Sequence, residues 1–290
     1  KYVDFLPVCP EVEIGLGVPR NPVRIVLNKG GHRLVQPLSG KDVTENMKAF
    51  CSSFLDSVEG ADGFILKFRS PSCGFKDVKV YQSAAGQGVV EKTSGYFGGA
   101  VLKRYPFLPV EDEGRLRNAR IKEHFLTKLF TFAAFRKVKS EGGMKDLISF
   151  HTQNKFLLMA YNQAELRKLG EIAANRGGKP FKELISNYEE HLYSAFSRAP
   201  VYTSTIDVLM HSLGYFSDQL SNREKTLFFD WVQKYREGKA SLCPAINTIK
   251  LWIVRFESDY LMHQTFFEPY PEDLMEINPV ESHLREDLWI

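Results

Sequence analysis

The stretch KFRSPSCGFKDVKVY, residues 67–81, begins inside the apolar run GFILKF of residues 63–68. The apolar run is typical of a buried strand, and the residues after it are typical of a tight turn. Pro71 fixes φ and lacks an N–H donor, whereas Gly74 relaxes the backbone. Because none of these residues favours a hydrophobic core, the pattern predicts a turn that presents the thiol of Cys73 at a strand end, where the sites of α/β proteins usually lie.

Strand-like and helix-like segments alternate through the first 110 residues, which predicts an α/β fold for this part of the chain. The KGG sequence at residues 29–31 lies between two short strands and is typical of a hairpin turn. The predicted strands are YVDFLPV (2–8), VRIVLN (23–28), HRLVQP (32–37) and GFILKF (63–68), and the predicted helices are KDVTENMKAFCSSFLDSV (41–58) and TSGYFGGAVLKRY (93–105).

A linker is predicted at PFLPVEDEGRLRN, residues 106–118, where two prolines, an acidic cluster and a glycine interrupt the periodic segments. Almost every segment after it has helical spacing. We therefore assign residues 1–110 to an α/β domain and residues 111–290 to an all-α helical bundle. Ser221 with Glu224 has the pattern of a capping box. The predicted helices span residues 115–139, 144–161, 163–176, 181–198, 205–220, 223–238 and 245–267.

The composition is that of a folded soluble protein, with 43% hydrophobic and 25% charged residues among 290. No apolar run approaches the roughly 20 residues that a membrane span needs, and no secretory signal is visible. The four cysteines are too few and too scattered for a disulfide scaffold, which favours the reducing cytoplasm. The chain begins with Lys1 rather than methionine, so we expect an N-terminal segment to precede it.

The net charge of +3 conceals an uneven distribution. Residues 115–255 carry 23 basic and 13 acidic side chains, an excess of ten positive charges, whereas residues 256–290 carry one basic and nine acidic side chains. The first 114 residues are nearly balanced, with 14 basic and 13 acidic side chains. The basic excess indicates a surface for a polyanion such as a nucleic acid, although long soluble helices also carry many lysines.

Cys9 and Cys73 have similar surroundings, since each follows a predicted strand and has a proline and glycines nearby. Two thiols from separate strand ends can meet at the rim of a sheet, where thiolates suit a soft metal ion or an iron–sulfur cluster. The alternative is that each is an ordinary buried cysteine. No CxxC pair is present, which argues against a zinc ribbon.

Three motifs of the first domain resemble the TudS-type desulfidases, which remove sulfur from thiouracil. They are VCPEVEIGLGVPR (8–20), RSPSCG (69–74) and GYFGGAVLKRYPFLPVEDEGRL (95–116). The helical part resembles the YbgA-type domain through FHTQNKFLLMAYN (150–162), VLMHSLGYFSDQLSNREK (208–225) and YLMHQTFFEPYPEDL (260–274). The combination of these two domains in one chain resembles the tRNA 4-thiouridine desulfidases.

The resemblance implies a [4Fe–4S] cluster that is held by three cysteines and has one iron open to the substrate. Cys9 and Cys73 match two of these ligands, and the third is expected upstream of Lys1, in a segment that contains Cys-Leu-Leu-Gly in the family. Cys51 and Cys243 match no ligand position, so we interpret both as structural. The open iron would bind the thiocarbonyl sulfur as a Lewis acid, and water would replace the sulfur without net electron transfer.

The resemblance also implies roles in catalysis for residues near the two cysteines. Glu11, two residues after a ligand cysteine, is the expected general acid/base, and Ser70 matches the family's active-site serine. Ser72 and Lys67 are predicted to bind the substrate. Without the resemblance, Glu11 is interpreted as a surface carboxylate that caps a turn, and Ser70 as an ordinary turn hydroxyl.

If the target base lies in tRNA, the helical domain is the expected clamp on the RNA backbone, and a buried base has to swing out to reach the iron. Two alternatives remain open: the same chemistry on free thiouracil bases, and a non-catalytic nucleic-acid-binding adaptor in which both cysteines are structural. The histidines of the helical domain form no close ligand pair, and His211 is expected in the core. The residues predicted to bind tRNA are Arg117, Arg120, Lys122, Arg136, Lys137 and Lys139.

Overall fold

The computed structural model describes residues 1–86 and 88–274. Contacts divide this part of the chain into two compact units, Lys1–Phe132 and the residues from Ala133 onward. The first unit is α/β and the second is helical, which confirms the predicted fold class. Residues 275–290, which carry part of the acidic tail and His283, lie outside the described residues.

A five-stranded sheet forms the centre of the first unit, and a separate pair of strands lies beside it. The elements of this unit up to its last strand are α1 (Pro10–Glu13), β1 (Arg24–Asn28), β2 (Gly31–Gln36), β3 (Lys41–Asp42), α2 (Thr44–Ser57), β4 (Phe64–Leu66), β5 (Val78–Tyr81), β6 (Val89–Thr93), α3 (Tyr96–Arg104) and β7 (Val110–Asp112).

The five strands of the large sheet lie in the order β3-β2-β1-β5-β6. The predicted hairpin is confirmed, since β1 pairs with β2 in antiparallel register and Asn28 lies opposite Gly31. β1 runs parallel to β5. Ile25, Leu34 and Val80 lie opposite one another on the three central strands and are at most 1% exposed. These residues place the core on one face of the sheet.

Both predicted helices of the first unit form, as α2 and α3, and their apolar sides join the buried face of the sheet in one core cluster. Met47 of α2 and Val101 of α3 are fully buried in this cluster. The rings of Phe50, Phe54 and Phe97 pack together at centroid distances between 5.4 and 6.1 Å. The helical spacing in the sequence therefore predicted both helices of this unit correctly.

The predicted linker contains a strand. β7 lies within residues 106–118 and pairs in parallel with β4, so that Phe64 lies opposite Val110. The units divide after Phe132, inside a long helix, whereas the sequence predicted a boundary at residue 110. The strand pair returns residues 110–112 to the first unit through a contact that composition does not reveal.

The predicted strand at residues 2–8 does not form. Phe5 and Leu6 are 77% and 69% exposed, and Val8 at the end of this run packs against the core cluster without joining the sheet. Cys9 therefore does not follow a strand, and it occupies the N-cap position of the short helix α1, which begins at Pro10. Proline is favoured at the first position of a helix because the N–H that it lacks would have no partner in the first turn.

The second unit consists of helices joined by short turns. The capping box at Ser221 and Glu224 is confirmed by reciprocal hydrogen bonds of 3.3 and 2.8 Å. No helix in the described part of the chain is long and apolar enough to cross a bilayer. The elements from residue 115 onward are a 3-10 turn (Arg115–Arg117), α4 (Ala119–Glu141), α5 (Met144–Gln153), α6 (Lys155–Tyr161), α7 (Gln163–Ala174), α8 (Phe181–Ala195), α9 (Tyr202–Gly214), α10 (Asn222–Arg236), α11 (Cys243–Arg255), α12 (Asp259–Met262) and 3-10 turns at Thr265–Phe267 and Glu272–Leu274.

Two of the predicted helices are interrupted in the structure. The predicted helix at residues 144–161 divides at Asn154 into α5 and α6, and the last predicted helix divides into α11, α12 and a 3-10 turn. Gln264 accounts for the first break, because its side chain accepts the N–H of Phe156 at 3.1 Å and donates to the carbonyl of Thr152 at 2.8 Å. These bonds replace pairing within a continuous helix.

The core of the helical unit is aromatic. Phe135, Phe150 and Tyr188 meet at ring-centroid distances between 5.5 and 6.2 Å. His211, which was expected in the core, is exposed and presents its ring to Phe156 at its border. The prediction for His211 was wrong because apolar residues on both sides of it in the sequence do not decide which side of α9 it occupies.

The half-buried ring of His151 gives the helical unit an expected pH dependence. Nδ1 of His151 lies 3.0 Å from the hydroxyl of Tyr188, a hydrogen bond that a neutral ring accepts. Burial, followed by the charge of Lys155, lowers the pKa of His151 from 6.5 to about 4. Between these values the unfolded chain binds a proton that the native protein excludes, so stability falls as the pH drops through this window. We expect this residue to remove about 2 kcal/mol of stability between pH 7 and pH 5.

The substitution His151→Asn tests this dependence, because asparagine keeps an acceptor for Tyr188 and does not titrate. Denaturant unfolding at both pH values, followed by the fluorescence of Trp231 and Trp252, measures the stability of this unit. The variant should lose less stability on acidification than the parent protein. His263→Asn, a change at an exposed histidine of the same unit, is the control. Equal losses in the parent and in His151→Asn would contradict the prediction.

Candidate active site

The turn at residues 70–74 follows β4 and contains Cys73. It lies against the N-terminus of α3. The first N–H groups of a helix have no partners within the helix. In α3 they find partners in this turn, since Gly95 donates to the carbonyl of Gly74 at 2.6 Å and Phe97 donates to that of Ser72 at 2.8 Å. The turn therefore caps the helix, and the helix fixes the backbone of the turn.

Two glycines permit this close approach. A Cβ atom at Gly95 would lie 2.6 Å from the carbonyl oxygen of Ser72, and one at Gly98 would lie 2.4 Å from that of Gly74. Both distances are well below van der Waals contact, so any side chain at either position would push the turn away from α3. Gly95 and Gly98, which weaken the helical pattern in the sequence, therefore allow the turn that contains Cys73 to pack against α3.

A chain of hydroxyl groups links the turn to Glu11. Ser72 is 1% exposed, and its Oγ donates to Oε1 of Glu11 at 2.6 Å. Because this bond uses the single hydroxyl proton of Ser72, the hydroxyl of Ser70, 3.0 Å away, donates to Ser72. Oγ of Ser70 also accepts the N–H of Cys73 at 3.1 Å. Glu11, Ser70 and Ser72 therefore form one hydrogen-bonded relay beside Cys73.

Arg20 connects the second thiol to the same relay. Its Nε donates to Oε2 of Glu11 at 2.6 Å, and its Nη2 donates to Sγ of Cys9 at 3.2 Å. Its Nη1 donates to the carbonyl of Gly17 at 3.1 Å. Arg20 is not among the site residues that the sequence predicts. The available signal was its position after the turn-forming GLGVP, where Gly17 has a φ of 69° and the chain folds back toward Cys9.

The electrostatics of the Cys73 thiol reflect these neighbours. Burial raises its pKa and the negative charges of Glu11 and Cys9 raise it further, whereas hydrogen bonds with Ser72 and Ser70 lower it. The hydrogen bond to Glu11 raises the pKa of Arg20. The Cys73 thiol thus responds to the charge of both Glu11 and Cys9, which places these three groups in one site, and a bound cation would relieve the repulsion at Cys73.

Residues 1–113 match the family model described as 2-thiouracil desulfurase. This range contains both thiols, Glu11, Arg20 and the two serines of the relay. The first part of the chain is similar to the 2-thiouracil desulfurases, and we call it the desulfurase domain. The description of this family is that of enzymes that act on the carbon–sulfur bond of thiouracil-type substrates.

The helical part matches a second family model over residues 155–271, described as a protein of unknown function (DUF1722). The chain is also 24% identical over 154 residues to the "Uncharacterized protein YbgA" of Escherichia coli (strain K12), a match that covers 52% of this chain and 91% of that relative. No solved structure matches the chain. The matches confirm the resemblance of both parts that the motifs indicated.

The desulfurase domain brings two of its three cysteines together at the site. Cys51 lies in the core on α2, where burial, followed by the charge of Cys73, raises its pKa to about 11. Cys243 is exposed at the first residue of α11, in the helical unit. Across residues 1–86 and 88–274, no group of three or more His, Cys, Asp or Glu side chains is arranged to hold a metal ion. Cys9 and Cys73 are therefore the thiols that this part of the chain contributes.

Lys67 of the desulfurase domain forms its ion pair with a residue that does not belong to the hydroxyl relay. Its Nζ forms an ion pair with Glu113 at 2.5 Å, and its side chain is 71% exposed. Glu113 also accepts the N–H of Phe68 at 2.8 Å, which holds this ion pair next to the end of β4. A role for Lys67 in substrate binding stays a prediction.

The residues predicted to bind RNA lie on α4, except for Arg117 in the 3-10 turn before it. All are exposed apart from Lys122, which is half-buried. Lys139 forms an ion pair with Glu189 at 2.6 Å, which weakens its attraction for a phosphate. Lys137, for which no ion pair is described, thus offers more available charge than Lys139, and RNA binding at this helix stays a prediction.

Proposed function

We propose that this protein replaces the sulfur of a thiolated uridine in tRNA by oxygen and releases sulfide. The observation that carries the proposal is the site of the desulfurase domain, where two thiols lie beside a carboxylate and a hydroxyl relay. The excess of ten positive charges in residues 115–255 supports RNA, rather than a neutral base, as the substrate. A free thiouracil base is the second candidate, because the matched family is named for it.

The cofactor in this proposal is a [4Fe–4S] cluster, and the residues of the site fit such a group. Thiols are the donors that iron–sulfur clusters use, and Cys9 and Cys73 are linked to Glu11 through the hydrogen bonds of Arg20 and Ser72 respectively. Cys9 and Cys73 would hold the cluster, with the guanidinium of Arg20 beside the first thiol. When bound, the cluster supplies an iron that acts as a Lewis acid toward the thiocarbonyl sulfur.

Glu11 is the residue that moves protons in this proposal. One water adds its oxygen to the ring carbon, the carbon–sulfur bond breaks, and the two water protons leave with the sulfide, so no oxidant or reductant is consumed. Glu11 takes a proton from the attacking water and returns it to the departing sulfur. Ser72 fixes Oε1 and Arg20 fixes Oε2, and each oxygen keeps a lone pair for water.

Exchanging positive for negative charge on α4 tests the tRNA substrate. The double variant Arg136→Glu/Lys137→Glu should weaken tRNA binding and flatten its salt dependence, with the log–log slope falling by about one for each lost phosphate contact. Sulfide release from free 4-thiouracil should stay at the parent rate, because that base needs only the desulfurase site. Filter binding over a range of salt concentrations and a sulfide assay on both substrates measure these effects.

The control for this experiment is Lys225→Glu, a single charge reversal on α10. Unchanged tRNA affinity in the double variant would show that this face of α4 is exposed to solvent and does not bind tRNA. Equal losses on tRNA and on free base would indicate damaged folding. The parent protein itself must release sulfide, and an adaptor without catalytic activity would release none from either substrate.

A further inference from the structure

The five-stranded sheet has a second face, opposite its core, that carries basic side chains. Successive side chains of a strand point to opposite faces, and Ile25, Leu34 and Val80 point into the core. The residue before each of them therefore points away from the core. Lys92 of β6 lies opposite one of these residues, Lys79, and shares its face. We call this surface the outer face, and its basic residues are Arg24, Arg33, Lys79 and Lys92.

Lys79 and Lys92 form a pair of like charges on neighbouring strands. Both are exposed and lie directly opposite each other, an arrangement that destabilises a sheet. Glu91, next to Lys92 in the sequence, points to the core side instead, where its Oε1 lies 2.5 Å from Nε2 of His32. Asp77 approaches Lys92 only to 3.9 Å, beyond hydrogen-bond distance, and Lys79 forms no ion pair within the described residues. The two lysines therefore leave positive charge available for an anion.

Arg33 is the most neutralised cation of the outer face. Its Nη1 lies 3.8 Å from Asp42 and 3.6 Å from Glu45. These contacts are longer than hydrogen bonds and the Arg33 side chain is 38% exposed, but two carboxylates still reduce its attraction for a phosphate. Arg24, Lys79 and Lys92 therefore carry most of the available positive charge of this face.

Arg24 and Tyr81 form a flat surface on the outer face. The guanidinium of Arg24 lies 4.7 Å from the centroid of the Tyr81 ring, and its Nη1 donates to the carbonyl of Gly86 at 3.3 Å. Tyr81 lies opposite Val26 of β1 in the parallel register, which places its ring beside Arg24. Unstacked RNA bases stack on aromatic rings and on guanidinium planes. The outer face therefore combines cations for phosphates with a plane for a base.

We propose that the outer face binds the single-stranded RNA that adjoins the target base, with phosphates at Lys79 and Lys92 and a base stacked beside Tyr81. The inference rests on the proposed function and assigns part of the RNA recognition to the desulfurase domain. Charge complementarity favours RNA, because a polyanion relieves the repulsion between the two lysines. β1 begins at Arg24, shortly after Arg20 of the site, so one segment of the chain contributes to both the site and the outer face.

Binding of a single-stranded oligonucleotide tests the proposal without any catalysis. A fluorescently labelled oligouridylate of about 12 nucleotides is titrated with the full chain and followed by anisotropy over a range of salt concentrations. The double variant Lys79→Gln/Lys92→Gln should weaken binding about tenfold or more. The slope of log affinity against log salt should fall by about 0.7 for each lost phosphate contact.

The matched control is the double variant Lys48→Gln/Lys103→Gln, which removes two exposed lysines from α2 and α3 on the core side of the sheet. It should bind the oligonucleotide as the parent does. The Lys79→Gln/Lys92→Gln variant should also keep its thermal unfolding midpoint, because it removes repulsion rather than a stabilising contact. Parent-like affinity in that variant, an equal loss in the control, or a loss that accompanies unfolding overturns the proposal.

The aromatic plane is tested separately at Tyr81. The substitution Tyr81→Leu should weaken binding about tenfold and leave the salt slope unchanged, because stacking on a ring involves no phosphate. Tyr81→Phe keeps the ring and should bind as the parent does. Equal affinities of the Leu and Phe variants would overturn the assignment of Tyr81 as a stacking surface.

Kinetics separate this inference from the proposed function. Sulfide release from 4-thiouridine within a single-stranded oligonucleotide is compared with release from the nucleoside 4-thiouridine. A higher kcat/KM for the oligonucleotide, reduced in Lys79→Gln/Lys92→Gln mainly through KM, supports the outer face as an RNA site. Equal values for both substrates in the parent protein overturn it and leave desulfuration established. No sulfide from either substrate overturns the proposed function, and the anisotropy measurements then decide whether the outer face binds RNA.

Discussion

Replacing Cys73 with alanine is expected to abolish iron binding and sulfide release together. The thiol is the group of this turn that a soft metal requires, and the rest of the turn stays in place because the amides of α3 hold its carbonyls. The parent protein, purified in full length without oxygen, should carry about four irons per chain. Iron analysis, the visible absorption of the cluster and a sulfide assay on the same preparations measure the loss.

The matched control is Cys51→Ala, which removes a buried thiol of the same domain that lies in the α2 core. This variant should keep its iron and its activity, with only a small loss of thermal stability. Iron and activity that persist in Cys73→Ala would exclude Cys73 as a ligand. Loss of both in Cys51→Ala as well would mean that the result reports on the core of the domain rather than on its site.

The substitution Glu11→Gln is expected to keep the iron and to lower kcat by about 10²–10⁴-fold, the usual contribution of general acid–base catalysis. Glutamine has nearly the same shape and still accepts the hydrogen bond from Ser72, but it neither takes a proton nor pairs with the charge of Arg20. Because geometry is retained, the visible absorption should match that of the parent. Single-turnover sulfide release separates the chemical step from substrate binding.

Glu13→Gln provides the comparison for this variant, since Glu13 lies on the same short helix α1 and is exposed. It should release sulfide at the parent rate. Parent-like turnover in Glu11→Gln would remove Glu11 from the reaction and leave its carboxylate as a structural partner of Arg20. Loss of iron in Glu11→Gln would instead assign the carboxylate to the integrity of the thiol site.

Local patterns predicted much of the fold because their causes are local. The KGG hairpin, the capping box at Ser221 and the helices α2 and α3 depend on residues within a few positions of one another. Long-range contacts decide the features that were missed. β7 forms because it meets β4, and α5 ends at Gln153 because Gln264, far along the chain, bonds to the backbone groups of Thr152 and Phe156.

The same distinction holds for the site. The motifs marked Cys9, Cys73 and Glu11, and the structure brings these residues together, although Cys9 does so from the N-cap of α1 rather than from the end of a strand. Arg20 was missed because an arginine in a glycine-rich turn points to no partner until the turn is folded. Ser72 donates its proton to Glu11, and Ser70 therefore donates to Ser72. The spacing of the two serines in the sequence does not reveal this direction.

The docking of the 70–74 turn on α3 has a thermodynamic consequence for any ligand of Cys73. A segment that becomes ordered only when its ligand arrives loses about 1–2 kcal/mol of backbone entropy per residue, and this loss is subtracted from the affinity. Residues 70–74 lose that entropy when the domain folds, because α3 and its two glycines already fix them. The folded site is therefore preorganised for its ligand. A free peptide with the sequence RSPSCG would bind the same ligand far more weakly.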